Sequence, residues 1–82
     1  MLLTAEITLY PLQDEYLPVI KAFLAQLGEV AGLKLETFPT CTVISGEFDL
    51  VYGTLGDMMR WSQETLGKSV FVVKFLPGFG AL

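Results

Sequence analysis

The chain has 82 residues, 52% of them hydrophobic and 17% charged. A chain of this length forms one domain, residues 1–82, and buries only about 60–65% of its unfolded surface, so its core is modest. Nine acidic against five basic residues leave a net charge of −4. That balance argues against nucleic-acid binding, which draws its affinity from cations set against phosphates.

The first predicted element is a strand over Leu3–Tyr10 in "TAEITLYPL". Leu3, Ala5, Ile7 and Leu9 alternate with Thr4, Glu6, Thr8 and Tyr10, the period of a strand with one core-facing side. Pro11 ends it, because proline donates no ladder hydrogen bond. From Leu17 the period changes. Leu17, Ile20, Leu24 and Leu27 recur at spacings of three and four, which predicts an amphipathic helix with Pro18 in its first turn. Asp14 is its candidate cap, and Gly28 or Gly32 its end. "LKLETF", 33–38, and "TCTVIS", 40–45, predict a hairpin turning near Pro39, with Gly46 breaking the second strand. A second helix follows on Phe48, Tyr52, Leu55 and Met59, continuing towards Leu66. Gly53 and Gly56 each cost it about 1 kcal/mol against alanine, which implies a close approach to the sheet or an irregular helix. Gly67 suits the end of that helix. "SVFVVKFL", 69–76, is the last strand, closed by Pro77-Gly78.

The order β-α-β-β-α-β in one short domain predicts an α+β, ferredoxin-like sandwich. Its four-stranded antiparallel sheet carries both helices on one face and leaves the other without cover from the chain. On the first strand the apolar phase faces the helices, so Glu6, Thr8 and Tyr10 point to the open face. The same alternation sends Glu36 and Phe38, and Val72 and Lys74, to that side. In 40–45 either Thr42 and Ile44 face out, or Cys41, Val43 and Ser45 do. The open face thus mixes aromatic and aliphatic area with a few polar groups, as a small-molecule site does. The alternative is a half-wet sheet on which Glu6 and Lys74 form a cross-strand ion pair worth little energetically.

Short clusters of residues resemble a known family. "LYPL" at 9–12, "ET" at 36–37, Thr42 and Gly46 in "TCTVISG", and the closing "KFLPG" resemble the YkoF-related proteins. "TVISG" is also similar to a run in the related small thiamine-binding proteins. The resemblance implies a ferredoxin-like domain that binds thiamine or its hydroxymethylpyrimidine moiety without catalysis, in uptake or salvage of thiamine precursors. Some members carry two such domains; a single copy implies a homodimer or tetramer. Carried over, Tyr10 lies in the LYP motif and Thr42 in the TVISG motif. An aromatic ring stacks on either ring of the vitamin, a carboxylate such as Glu6 meets its amino group or its cation, and threonine hydroxyls complete the hydrogen bonds. Glu6, Thr8, Tyr10, Phe38, Thr42 and Lys74 are the candidate site residues; Glu6 has no fixed counterpart in the family.

Other chemistries find little to work with. The sequence has no histidine and one cysteine. A general base at neutral pH, a nucleophile with its partner and a soft-ligand metal site are therefore not expected, nor is a resident cofactor beyond the thiamine-like ligand. Cys41 reads as a buried structural thiol, and a lone cysteine fits the cytoplasm. No apolar run reaches the roughly 18 residues of a membrane span, and "MLLTAEITLY" lacks the basic start of a signal peptide. A mean hydropathy of +0.56 is high for so small a domain and implies that a subunit interface or a ligand covers part of its surface. Two classes of function stand: a binder of thiamine-like molecules, and an oligomeric module whose open sheet face is only an interface.

Overall fold

A computed structural model describes all 82 residues. The elements are β1 (Leu2–Pro11), α1 (Tyr16–Leu27), β2 (Lys34–Thr37), β3 (Thr42–Glu47), α2 (Phe48–Thr65) and β4 (Ser69–Pro77). The strands form one antiparallel sheet in the order β2-β3-β1-β4, the ferredoxin-like arrangement that the element order predicts. Leu3, Ala5, Ile7 and Ile44 of the sheet meet Phe23 and Leu27 of α1 and Val51, Leu55 and Met58 of α2 in one buried cluster. Neither helix is long and apolar enough to cross a membrane.

Both helices bury a face rotated in part from the one the spacing suggests: Leu27 and Leu55 are buried, and Leu24 and Phe48 pack against the core, but other stripe members do not. In α1 the buried residues are Val19, Phe23 and Leu27, and Leu17 is exposed. In α2 they are Val51, Thr54, Leu55, Met58 and Ser62, whereas Tyr52 and Met59 face outward. The cause is compositional: apolar residues are so frequent that several stripes with spacings of three and four coexist, and packing selects among them. Asp14 is not a cap, because the helix starts at Tyr16 with Glu15 in the cap position and no side-chain cap bond. Tertiary packing holds a helix this short. Pro18 does fall in the first turn. Gly53 and Gly56 neither admit the sheet nor distort α2; both are exposed, and a Cβ on either would touch nothing within 4 Å.

Gly46 does not break its strand but pairs with Leu3 inside β3. A Cβ there would stand 3.3 Å from the Gly32 carbonyl and 3.6 Å from Val51, so glycine lets the α1–β2 connection and α2 close on the sheet.

The open face is not wholly bare. After Gly78 the chain turns back across one end of it. The Thr4 hydroxyl donates to the Phe79 carbonyl and accepts the Ala81 N–H at 3.0 Å, with the Ser45 hydroxyl 3.3 Å away. Lys34 Nζ donates to the Leu82 carbonyl at 3.2 Å. Gly80 passes so close that a Cβ would lie 2.8 Å from Leu2 Cδ1. This strap leaves Thr4 and Ser45 only 2% exposed, although both side chains point away from the helices.

Candidate functional site

Register decides which candidates share a place. Glu6 pairs with Val43 and Lys74, and Ile7 with Thr42. Because Ile7 faces the helices, Cys41, Val43 and Ser45 belong to the open phase of this segment, and Thr42 and Ile44 to the helix side. Of the two alternatives the sequence allows, the second is realised. Thr42 is buried on the helix side and does not join Glu6 on the open face.

Glu6 and Lys74 form the cross-strand ion pair, Oε1 to Nζ at 3.7 Å, with side chains 41% and 75% exposed. At that exposure water screens the attraction, and such pairs contribute at most about 1 kcal/mol. They lie with Val72 on the part of the open sheet face that the strap leaves uncovered.

The other four candidates converge elsewhere. Thr8, Tyr10, Phe38 and Thr42 all line a cavity of about 480 Å³ between α1 and the β2–β3 hairpin. Its floor is the helix-side surface of β1 and β3 with Phe23 and Leu24 of α1; Tyr10, Tyr16 and Phe38, all exposed, stand around its opening. Local chemistry shapes this wall. Pro39 sits in the four-residue loop Phe38–Cys41, whose base is closed by the Phe38 N–H donating to the Cys41 carbonyl at 2.8 Å. The Thr8 hydroxyl donates to the Thr40 carbonyl at 3.3 Å and ties the loop to β1. Phe23 fixes the other wall, packing edge-on against Phe71 of β4 at 5.6 Å between ring centroids. Cys41, half-buried, lines the cavity and is not a core thiol.

No aspartate, glutamate, lysine or arginine lines this cavity. Its polar groups are the threonines at 8, 37, 40 and 42, two tyrosines, one thiol and backbone amides. Such a surface stacks on a flat ring and hydrogen-bonds its edge, and supplies no formal charge. Two wall residues, Tyr16 and Thr37, were not among the sequence candidates. Tyr16 falls between the strand pattern and the helix stripe, and Thr37 sits in the strand phase assigned to the core.

No family model matches the chain, and no curated protein matches it significantly. Solved structures do share its fold. A Thermotoga maritima protein assigned provisionally to thiamine biosynthesis or salvage superposes with a TM-score of 0.80 at 21% identity, over 92% of this chain and 82% of that one. Protein SP2199 of Streptococcus pneumoniae gives 0.83 at 21% identity, over 96% and 89%. A domain of unknown function, DUF77, from Bacillus cereus gives 0.69 at 18% identity, over all of this chain and 83% of that one. At these identities the likeness is one of fold.

Proposed function

We propose that this chain binds thiamine or its hydroxymethylpyrimidine moiety, without turning it over, in the cavity between α1 and the β2–β3 hairpin. The observation that carries the reading is the lining itself: three aromatic rings at the mouth, threonines within, and a volume of about 480 Å³. Small-molecule sites span roughly 300–1,000 Å³ and pair apolar walls with few polar groups. The aminopyrimidine stacks on Tyr10, Tyr16 or Phe38, and Thr42 and Thr37 meet its nitrogen edge. The thiazolium cation takes its compensation from ring faces and not from a carboxylate. Glu6 and Lys74 stand outside this reading of the site. The fold likeness to a protein assigned provisionally to thiamine biosynthesis or salvage supports the same ligand class, and salvage as the setting.

No group in the lining is a general base at neutral pH, which favours binding over catalysis. No cation lines the cavity either, so phosphorylated forms are expected to bind more weakly than the free compounds. A thermal-shift series with thiamine, hydroxymethylpyrimidine and their phosphates tests the reading. The free compounds should raise the melting temperature in step with the logarithm of their concentration above the Kd. No shift with either free compound at millimolar concentration would refute it.

A second reading rests on a separate observation. On the open face Tyr10, Val70, Val72 and Leu76 are 45–54% exposed. We propose that this area pairs chains into a homodimer or tetramer. If pairing is its whole function, light scattering will show an oligomer while no thiamine-related compound shifts the melt. A monomer near 9.0 kDa at micromolar concentration removes the oligomer.

A further inference from the structure

The sheet ends in two edges of opposite character. β2 is four residues long and carries Lys34 and Glu36, and a short, charged edge discourages further pairing. β4 is nine residues long, and Lys74 is its one charged residue. That side chain is turned to the open face and paired with Glu6.

The direction of the β4 amides follows from the ends of its ladder with β1. The Leu12 N–H donates to the Lys68 carbonyl at 3.0 Å, and the Gly78 N–H to the Leu2 carbonyl at 2.7 Å. These pairs continue the β1–β4 register at both ends, so the even-numbered residues of β4 are the ones that exchange hydrogen bonds with β1. Pro11 and Pro77, which have no N–H, fall on the other set. Phe71, Val73 and Phe75 therefore turn N–H and C=O outward, to an edge that no strand of the chain pairs. Their side chains lie on the helix side. There an apolar strip runs on past the edge: Tyr52 stacks on Phe48 and leans on Phe75, with ring centroids 6.0 and 6.1 Å apart, and Tyr52 and Phe75 are both exposed.

We infer that the edge of β4 is a pairing surface for the β4 of a second copy, antiparallel about a two-fold axis through Val73. Val73 is the middle of the strand Ser69–Pro77, so this register overlaps its whole length. Phe71 exchanges both hydrogen bonds with the partner's Phe75, and Val73 with the partner's Val73. The outward groups are thus complementary to themselves. On the helix side Phe71 comes beside the partner's Phe75, an aromatic cross-strand pair, and on the open side Val72 faces the partner's Lys74. An axis through Lys74 sets two ammonium groups opposite each other, which is unfavourable, and an axis through Val72 shortens the overlap. The result is one continuous eight-stranded sheet. It uses a different surface from pairing across the open face.

Sedimentation equilibrium and amide hydrogen exchange of the full chain test this together. Above the dissociation constant of the pair, the amides of Phe71, Val73 and Phe75 should exchange at least about tenfold more slowly than below it. Those of Val72 and Lys74, bonded to β1, should be slow at both concentrations. Phe75→Pro removes an N–H that serves no bond within the chain, and it should weaken association about tenfold or more, since symmetry deletes the bond twice. Phe75→Ala keeps the N–H and should weaken association less. Val72→Glu sets a carboxylate opposite the partner's Lys74 and should leave the pair at least as tight. The inference is overturned if the outward amides stay open in an oligomer, which would place the contact elsewhere. It is overturned equally if the chain is still a monomer at millimolar concentration, which would leave the edge to a strand of another protein. Association unchanged in a folded Phe75→Pro, or abolished by Val72→Glu, would also contradict it. Pairing across the open face does not produce alternating protection along β4, and no readout involves thiamine, so the proposals fail separately.

Discussion

The cavity beside the hairpin and the free edge of β4 both carry rings, and they differ in what they offer a partner. The cavity is concave, encloses about 480 Å³ and presents side-chain hydroxyls without formal charge. The edge is a straight row of backbone amides at Phe71, Val73 and Phe75. A hollow walled by particular side chains selects by shape and by the pattern of a ring edge. An edge accepts an extended chain through its backbone, and only the flanking side chains fix phase and register.

The comparison can be broken most severely through Phe23. This side chain is 2% exposed, holds α1 against Phe71 and forms part of the cavity floor. Phe23→Ala should cost about 3–5 kcal/mol, a large share of the roughly 5–15 kcal/mol that stabilises a domain, as read from urea unfolding. Because Phe23 supports both the cavity floor and Phe71 of the edge strand, ligand affinity and self-association should fall together.

A smaller change should act on the cavity only. Thr42→Val keeps the shape of the side chain and removes its hydroxyl. By calorimetry it should weaken hydroxymethylpyrimidine by about 1–1.5 kcal/mol, or roughly five- to twelvefold, and by sedimentation it should leave self-association unchanged. Salt sharpens the contrast further. Raising ionic strength from a few millimolar to about 0.15 M, where screening sets in beyond about 8 Å, should tighten the pairing of chains that each carry a net charge of −4. Hydroxymethylpyrimidine binding should change less than about twofold.

The smallest effect is expected at Glu6. Glu6→Gln breaks an exposed pair, and the unfolding free energy should change by less than about 1 kcal/mol, with binding of the pyrimidine unaltered. A tenfold loss of thiamine would move the site to the open face.

Alternation made the strands and their order legible. Leu3, Ala5, Ile7 and Leu9 against Glu6, Thr8 and Tyr10 define two faces, and the pairing of Glu6 with Lys74 follows from β4 lying beside β1. What alternation does not carry is the phase of a segment that is β-branched on both sides. Thr42 and Val43 suit either face equally, and only the register with Ile7 and Glu6 separates them. The helices posed the same problem, since Leu17 and Val19 both head apolar rows. The strap over Thr4 left no trace because "PGFGAL" has no period, and its hold on the sheet is made by backbone groups. The cavity was half visible. Tyr10, Phe38 and Thr42 were marked by residue type, but their meeting around one cavity depends on where α1 stops covering the hairpin.

The most direct measurement is an amide NMR titration of the chain with hydroxymethylpyrimidine. Binding in the cavity predicts saturable shifts at Tyr10, Tyr16, residues 37–38 and residues 40–42, with Lys74, Val72, Asp57 and Trp61 unmoved. Shifts centred on Glu6, Val72 and Lys74, or none that saturate, would contradict the account.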